Sequence, residues 1–122
     1  ADAQASSSDS QLAIDPRNGK HLYLASASDG VLISRDGCQS WQASNTGLGN
    51  LSINTLAVSW NNPDTIYAGT NDGAYVSFDS GQIWNEINDG LLGATVVYSI
   101  AVYGESNVYA VTPYGIFKLE SK

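Results

Sequence analysis

An all-β fold is predicted from three observations in the sequence. The phrases "SDGVLISRDGCQSW" (Ser28–Trp41) and "NDGAYVSFDSGQIW" (Asn71–Trp84) are near-copies set 43 residues apart. Around them the chain repeats itself: Leu12, Leu56 and Ile100 fall 44 residues apart, and Tyr23, Tyr67 and Tyr109 follow at spacings of 44 and 42. Apolar runs are short and bounded by Gly, Pro, Asn and Asp, and no 3.6-residue period competes with them, so helices should be nearly absent. Four short antiparallel strands in about 43 residues make one blade of a β-propeller. The expected architecture is a partial β-propeller of four-stranded antiparallel blades, about 2.5–3 per chain.

The second copy shows the elements most clearly. "NTLAVSW" reads as a first strand, and "NNPD" as a turn in which Pro63 cannot extend a ladder. "TIYAGT" is a second strand, closed by "NDG", a hairpin signal because Gly tolerates positive φ. "AYVSF" is a third strand, "DSG" a further turn and "QIWNEI" a fourth strand. The expected boundaries are a flexible N-terminal segment over 1–10, a first blade over 11–50, a second over 51–93 and an incomplete third over 94–122.

Composition bounds the function. The chain has 122 residues, 12 Gly, 7 Tyr, 3 Trp and no Met, and only 14% of it is charged. Its surface polarity therefore comes mostly from neutral hydrogen-bonding groups, as in secreted and cell-envelope proteins, and an extracellular or periplasmic location is expected. Twelve acids against five Lys and Arg give a formal charge of −7. Such a chain lacks the basic patch that neutralises phosphates, so no nucleic-acid partner is expected. No run approaches the ~20 apolar residues of a membrane-spanning helix, and no charged and apolar leader opens the chain. The small polar opening "ADAQASSSDS" suits a start left after leader removal. One cysteine, Cys38, makes neither an internal disulfide framework nor a multi-cysteine metal site.

The duplicated phrases resemble the Asp-box, or bacterial neuraminidase repeat, roughly Ser-x-Asp-x-Gly-x-Thr-Trp. Ser34, Asp36, Ser40 and Trp41 match in the first phrase, with Cys38 where the family has Gly. Ser77, Asp79, Gly81 and Trp84 match in the second, with Ile83 replacing Thr. The resemblance implies the fold of sialidases, xyloglucan-cleaving hydrolases, sortilin-type receptors and photosystem-assembly propellers, families that share little chemistry. It implies a structural role for these residues, on the hairpin between a blade's third and fourth strands and away from the central axis. The physical reading agrees. A carboxylate there accepts hydrogen bonds from the N–H groups of its own turn, and Trp41 and Trp84 bury large apolar faces between neighbouring blades.

Catalytic candidates are few. A sialidase needs an arginine cluster for the substrate carboxylate, and Arg17 and Arg35 are the only arginines, in separate turns. Other glycosidases need two carboxyl groups ~5–9.5 Å apart. The best pair is Asp29 and Asp72, each also the Asp of an Asp-Gly hairpin and so suited to turn formation. Those turns lie opposite the Asp-boxes, and a candidate ligand face there comprises Asp29, Asn71, Asp72 and Tyr114. His21 has no second His or Cys to complete a metal site and should begin a strand. No metal or cofactor is expected. Cys38 is either a tolerated replacement or the source of an intermolecular disulfide. Trp60, Tyr98, Tyr103 and Tyr114 are expected mostly in the core or between blades, with some free to stack on sugar or peptide.

Propellers close with 4–8 blades, so about three leave an apolar face and a strand edge open at each end, which favours pairing with other chains. Copies associate into a ring, or the chain docks on other subunits, or it is a piece of a longer propeller. The leading expectation is a non-enzymatic module for protein binding or assembly, as a homo-oligomer or a subunit of a larger assembly. The alternatives are a carbohydrate-binding lectin with a glycan as ligand, or a fragment of a glycoside hydrolase that uses Asp29 and Asp72.

Overall fold

The computed structural model describes residues 11–88, 95–104 and 107–119. The expected flexible segment over 1–10 therefore lies outside the described residues. The described residues form strands and turns with no helix. The first sheet comprises β1 (Gln11–Ile14), β2 (Leu22–Ala25), β3 (Val31–Ser34) and β4 (Gln42–Ala43). The second comprises β5 (Ile53–Val58), β6 (Ile66–Thr70), β7 (Gly73–Ser77) and β8 (Asn85–Glu86), and the third β9 (Ser99–Tyr103), β10 (Asn107–Thr112) and β11 (Gly115–Leu119). Within each sheet sequential strands are hydrogen-bonded antiparallel neighbours.

Turn chemistry sets these hairpins. Gly30, Gly73 and Gly115 sit at the β2–β3, β6–β7 and β10–β11 reversals with φ of 77°, 99° and 125°, a region that L side chains enter only with strain. Each reversal is also pinned by a hydroxyl at or directly after the end of the preceding strand. The amides of Asp29, Asp72 and Tyr114 donate to Ser26 Oγ, Thr70 Oγ1 and Thr112 Oγ1 at 2.9, 2.9 and 3.1 Å. These hydroxyls are buried, so the bonds satisfy groups that water no longer reaches.

Side-chain alternation stacks the sheets. On β2, Tyr23 and Ala25 point toward the second sheet; on β6, Ile66 and Ala68 point back at them while Tyr67 points toward the third. One core joins Tyr23, Val31 and Ile33 to Leu56, Val58, Ile66, Tyr75 and Trp84. The other joins Tyr67, Ala74 and Val76 to Val97, Ile100, Val108 and Leu119. Every residue of β6 and β7 is buried because both faces of the second sheet are covered, and each such aliphatic side chain contributes about 1.5–3 kcal/mol relative to exposure. The outer strands β4 and β8 are two residues long and exposed, which limits edge pairing. Three stacked antiparallel sheets, the third with three described strands, are a partial β-propeller.

Four aromatics depart from expectation. Trp60, Tyr98, Tyr103 and Tyr114 are all exposed rather than packed in the core. Trp60 stands in the β5–β6 turn, and the three tyrosines border the third sheet, on whose outer side no described residue packs.

Candidate functional site

Asp36 and Asp79 occupy corresponding β3–β4 and β7–β8 turns. Asp36 Oδ1 accepts from Ser34 Oγ at 3.0 Å and from the amides of Gln39 and Ser40 at 3.1 and 2.9 Å, and Ser40 Oγ donates to Oδ2. Asp79 Oδ1 accepts from Ser77 Oγ at 2.7 Å and from the amides of Gln82 and Ile83 at 3.1 and 3.0 Å. The Ser40 hydroxyl, with its own amide, holds the Asp36 carboxyl at about 2. Asp79 is also held below the usual carboxylate range, first by the Ile83 amide. Ser34 and Ser77 are buried and accept from the amides of Cys38 and Gly81 at 3.0 and 2.8 Å. Asp36 is thus bonded within its own turn through both carboxylate oxygens and Asp79 through Oδ1, which fixes loop shape.

The turns share an unusual backbone. Gly37 and Cys38 have φ of 70° and 78°, and Ser80 and Gly81 have 61° and 88°. Each turn therefore places one non-glycine residue in the left-handed region, which costs about 1–2 kcal/mol.

The two tryptophans differ. Trp84 is 2% exposed, enclosed between the first and second sheets. Its Nε1 donates to the Ser44 carbonyl at 2.9 Å, and its amide donates to the Thr46 carbonyl at 2.8 Å. Trp41, expected to be covered likewise, is half-buried on the outer side of the first sheet, and its buried Nε1 has no hydrogen-bond partner among the described residues. The reason is position: a sheet precedes Trp84 in the stack, and no described sheet precedes Trp41.

Trp41 forms one wall of a cavity of about 460 Å³ lined also by Ser28, Asp29, Leu32, Asn45 and Leu51. Of the four ligand-face candidates, only Asp29 reaches it. Asn71 and Asp72 are exposed on the second sheet's hairpin, where Asn71 Oδ1 accepts from Asn54 Nδ2 at 2.9 Å, and Tyr114 is exposed on the third. The cavity holds a single carboxyl group, whereas paired-carboxylate hydrolysis needs two.

Two features escaped the sequence reading. Asn45 and Asn88 accept from the amides of Val31 and Ala74 at 2.8 and 3.0 Å, tying each outer strand to the hairpin of its own sheet; their common 43-residue spacing was a signal. The other is an ionic cluster. Asp15 is buried and accepts from the backbone amide, Nε and guanidinium of Arg17 at 2.8, 3.1 and 2.9 Å, while Arg17 also donates to Asp64 on the second sheet at 2.8 Å. The Arg17 side chain holds the Asp15 carboxyl at about 2, and both acids raise Arg17. His21, directly before β2, lies 3.4 Å from Asp15 through Nδ1. No group of His, Cys, Asp and Glu among the described residues is arranged to hold a metal ion.

This architecture is shared with solved propellers. The chain is similar to an ancestral GH74 enzyme at 23% identity and a TM-score of 0.77, covering 91% of this chain and 14% of that one. It is similar to YCF48 bound to a D1 peptide at 17% identity and a TM-score of 0.73, covering 98% and 39%. A third similar structure is the extracellular domain of a B. thetaiotaomicron protein, at 20% identity and a TM-score of 0.67, covering 99% and 17%. The chain thus spans well under half the length of these structures, and at such identities the likeness defines the fold: a β-propeller. Neither a protein-family model nor a curated protein matches the sequence.

Proposed function

We propose that this chain is a non-enzymatic propeller module for protein binding or assembly, which completes its ring with other copies or partner subunits outside the cytoplasm. The observation that carries the reading is a contrast between equivalent positions. Leu56 on the covered first strand of the second sheet is 3% exposed, whereas Leu12, its counterpart, is 50% exposed. At the other end Tyr23 and Tyr67 are 0% and 2% exposed, whereas Tyr109 is 40% exposed. Ile14 and Trp41 extend the first open face, and Tyr103, Val111 and Ile116 the second. Contiguous apolar patches of this kind mark interaction surfaces, and two faces that differ from each other suit head-to-tail stacking into a ring. In this reading the Ser34–Trp41 and Ser77–Trp84 turns are Asp-boxes with a structural role. The bonds spent within each turn support that assignment, and the sparse charge supports an extracellular or periplasmic location.

Native mass spectrometry across a concentration series tests the reading. The expected result is a discrete multiple of the 12.9 kDa chain mass, or a defined complex with a partner. A stable, unaggregated monomer would sink it.

A second reading is favoured by the cavity itself. Trp41, among Leu32, Ala43 and Leu51, offers an aromatic face with Ser28, Asp29 and Asn45 as polar groups beside it, a mixture that suits stacking and hydrogen bonding to a sugar ring. Glycan-array binding lost in Asp29→Asn would support a lectin; hydrolysis of a polysaccharide panel, lost in Asp29→Asn or Asp72→Asn variants that remain folded, would support a hydrolase.

A further inference from the structure

We infer that the cavity beside Trp41 is a seat for polypeptide, namely a segment that carries a hydroxyl residue followed three positions later by glycine, as Ser44–Gly49 does. The inference rests on the assembly reading and names the chemistry of what docks at the first open face.

The internal repeat supplies the template. In the second sheet the positions that line the cavity carry Tyr75 for Leu32, Trp84 for Trp41 and Asn88 for Asn45. There the corresponding space is filled by the chain that leaves β4 of the preceding sheet. The Ser44 carbonyl accepts from Trp84 Nε1 at 2.9 Å, and Ser44 Oγ donates to the Gly81 carbonyl at 2.6 Å. The Thr46 carbonyl accepts from the Trp84 amide at 2.8 Å, and Leu48 packs on the core beneath. Gly47 has φ of 95°, and a Cβ on it would run into the Trp84 carbonyl oxygen. Gly49 donates to Tyr75 Oη at 3.1 Å, and its own Cβ would stand 2.7 Å from that oxygen.

The first sheet offers the same surface with nothing described upon it. Trp41 Nε1 is already withdrawn from water yet has no acceptor among the described residues, and a buried donor left unpaired is costly enough to be matched nearly always in a finished structure. By equivalence its acceptor is a backbone carbonyl, and the hydroxyl on that same residue reaches the Cys38 carbonyl. A glycine three positions on clears the Trp41 carbonyl. Leu32 is shorter than Tyr75 and has no hydroxyl, so the position equivalent to Gly49 accommodates a side chain here. The specification belongs to another β-blade's outer strand and following turn. A sugar supplies hydroxyls in plenty, but neither the extended carbonyl spacing nor the left-handed turn.

The test uses the full chain, 15N-labelled, with the indole N–H resonances of Trp41, Trp60 and Trp84 followed by NMR. The titrant is a synthetic peptide with the sequence of residues 42–51, QASNTGLGNL, against the same peptide carrying Gly47→Val. The expected result is a saturable downfield shift of the Trp41 resonance alone, with the Val peptide at least about tenfold weaker because it meets both the left-handed φ and the facing carbonyl. No shift of a Trp41 resonance that sits at the upfield, unbonded position before titration, at millimolar peptide, would overturn the inference. So would an equal response to both peptides, or a response to an oligosaccharide panel in place of peptide. Mass in solution is measured on the same samples. A monomer whose Trp41 binds the peptide removes self-assembly and keeps the seat. An oligomer whose Trp41 resonance is already downfield and moves upfield on dilution has the seat filled by its neighbour. An oligomer whose Trp41 resonance stays at the upfield, unbonded position and ignores the peptide removes the seat and keeps self-assembly.

Discussion

The indole N–H of Trp84 donates to the backbone carbonyl of Ser44 at 2.9 Å, across 40 residues of chain and from one sheet to the next. That bond lies in an enclosed, well-packed place, and its twin at Trp41 has no acceptor among the described residues. The stability of the two positions should therefore differ sharply. Trp84→Ala removes a buried aromatic and leaves a cavity, with an expected loss of about 3–5 kcal/mol. Trp41→Ala, measured at concentrations below association, should lose less than about 2 kcal/mol. Urea unfolding followed by circular dichroism compares them, and equal losses would mean that Trp41 is covered.

Gly47 faces the same junction. Gly47→Ala combines left-handed strain with a side chain pressed against the Trp84 carbonyl, so an expected loss above about 2 kcal/mol follows. Gly19 is the control. It has no positive-φ strain and open space around a Cβ, and Gly19→Ala should stabilise by up to about 1 kcal/mol rather than destabilise.

Cys38 and Ser80 carry the left-handed strain that glycine would relieve. Cys38→Gly should stabilise the chain by about 0.5–1 kcal/mol, the relief of strain being partly offset by the freedom Gly adds to the unfolded chain. Thermal unfolding under reducing conditions checks the sign, and a lower Tm would show that the thiol has packing partners worth more than the strain.

Acid should loosen the β3–β4 and β7–β8 turns. Asp36 and Asp79 have folded-state values below the ordinary one, Asp36 at about 2. Their contribution is therefore full above about pH 4, where the unfolded chain's carboxylates are ionised, and is lost as pH falls through each folded-state value, which for Asp36 is about 2. Ser40→Ala removes the first contributor to the Asp36 shift and should move the acid midpoint upward, measured by circular dichroism between pH 5 and pH 2. An unchanged midpoint in Ser40→Ala and in Asp36→Asn would rule out a role for that carboxylate in acid stability.

Arg17 sets a separate acid response. It holds Asp15 at about 2 and spans to Asp64 on the next sheet. In Arg17→Gln the buried Asp15 loses its cation, its pKa rises, and stability should begin to fall at higher pH than in the parent chain. A pH titration of unfolding in low and moderate salt separates this from a screened surface effect, since the exposed Asp64 pair weakens with salt more than the half-buried Asp15 pair.

Much of this was legible along the chain. The 43–44-residue repeat, the Asp-Gly hairpins and the Ser-x-Asp turns are local signals, and the turns of Asp36 and Asp79 form their bonds within six residues of sequence. The second-copy strands appear where the alternation placed them, though "QIWNEI" yields only the two-residue β8, because an outer edge strand has a partner on one side alone. The exposure of Tyr98, Tyr103 and Tyr114 was not legible. An aromatic in a repeat looks like core wherever its equivalents are core, and the cover comes from a different part of the chain.

By itself the sequence determined a β-repeat with self-sufficient turns, since hairpins and capped carboxylates depend on residues a few positions apart. Only the tertiary structure decided that Arg17 bridges to Asp64, that Trp84 is enclosed and that Trp41 is open. Trp41 and Trp84 sit in nearly identical phrases, and burial is a property of the neighbouring sheet, which the phrase does not contain.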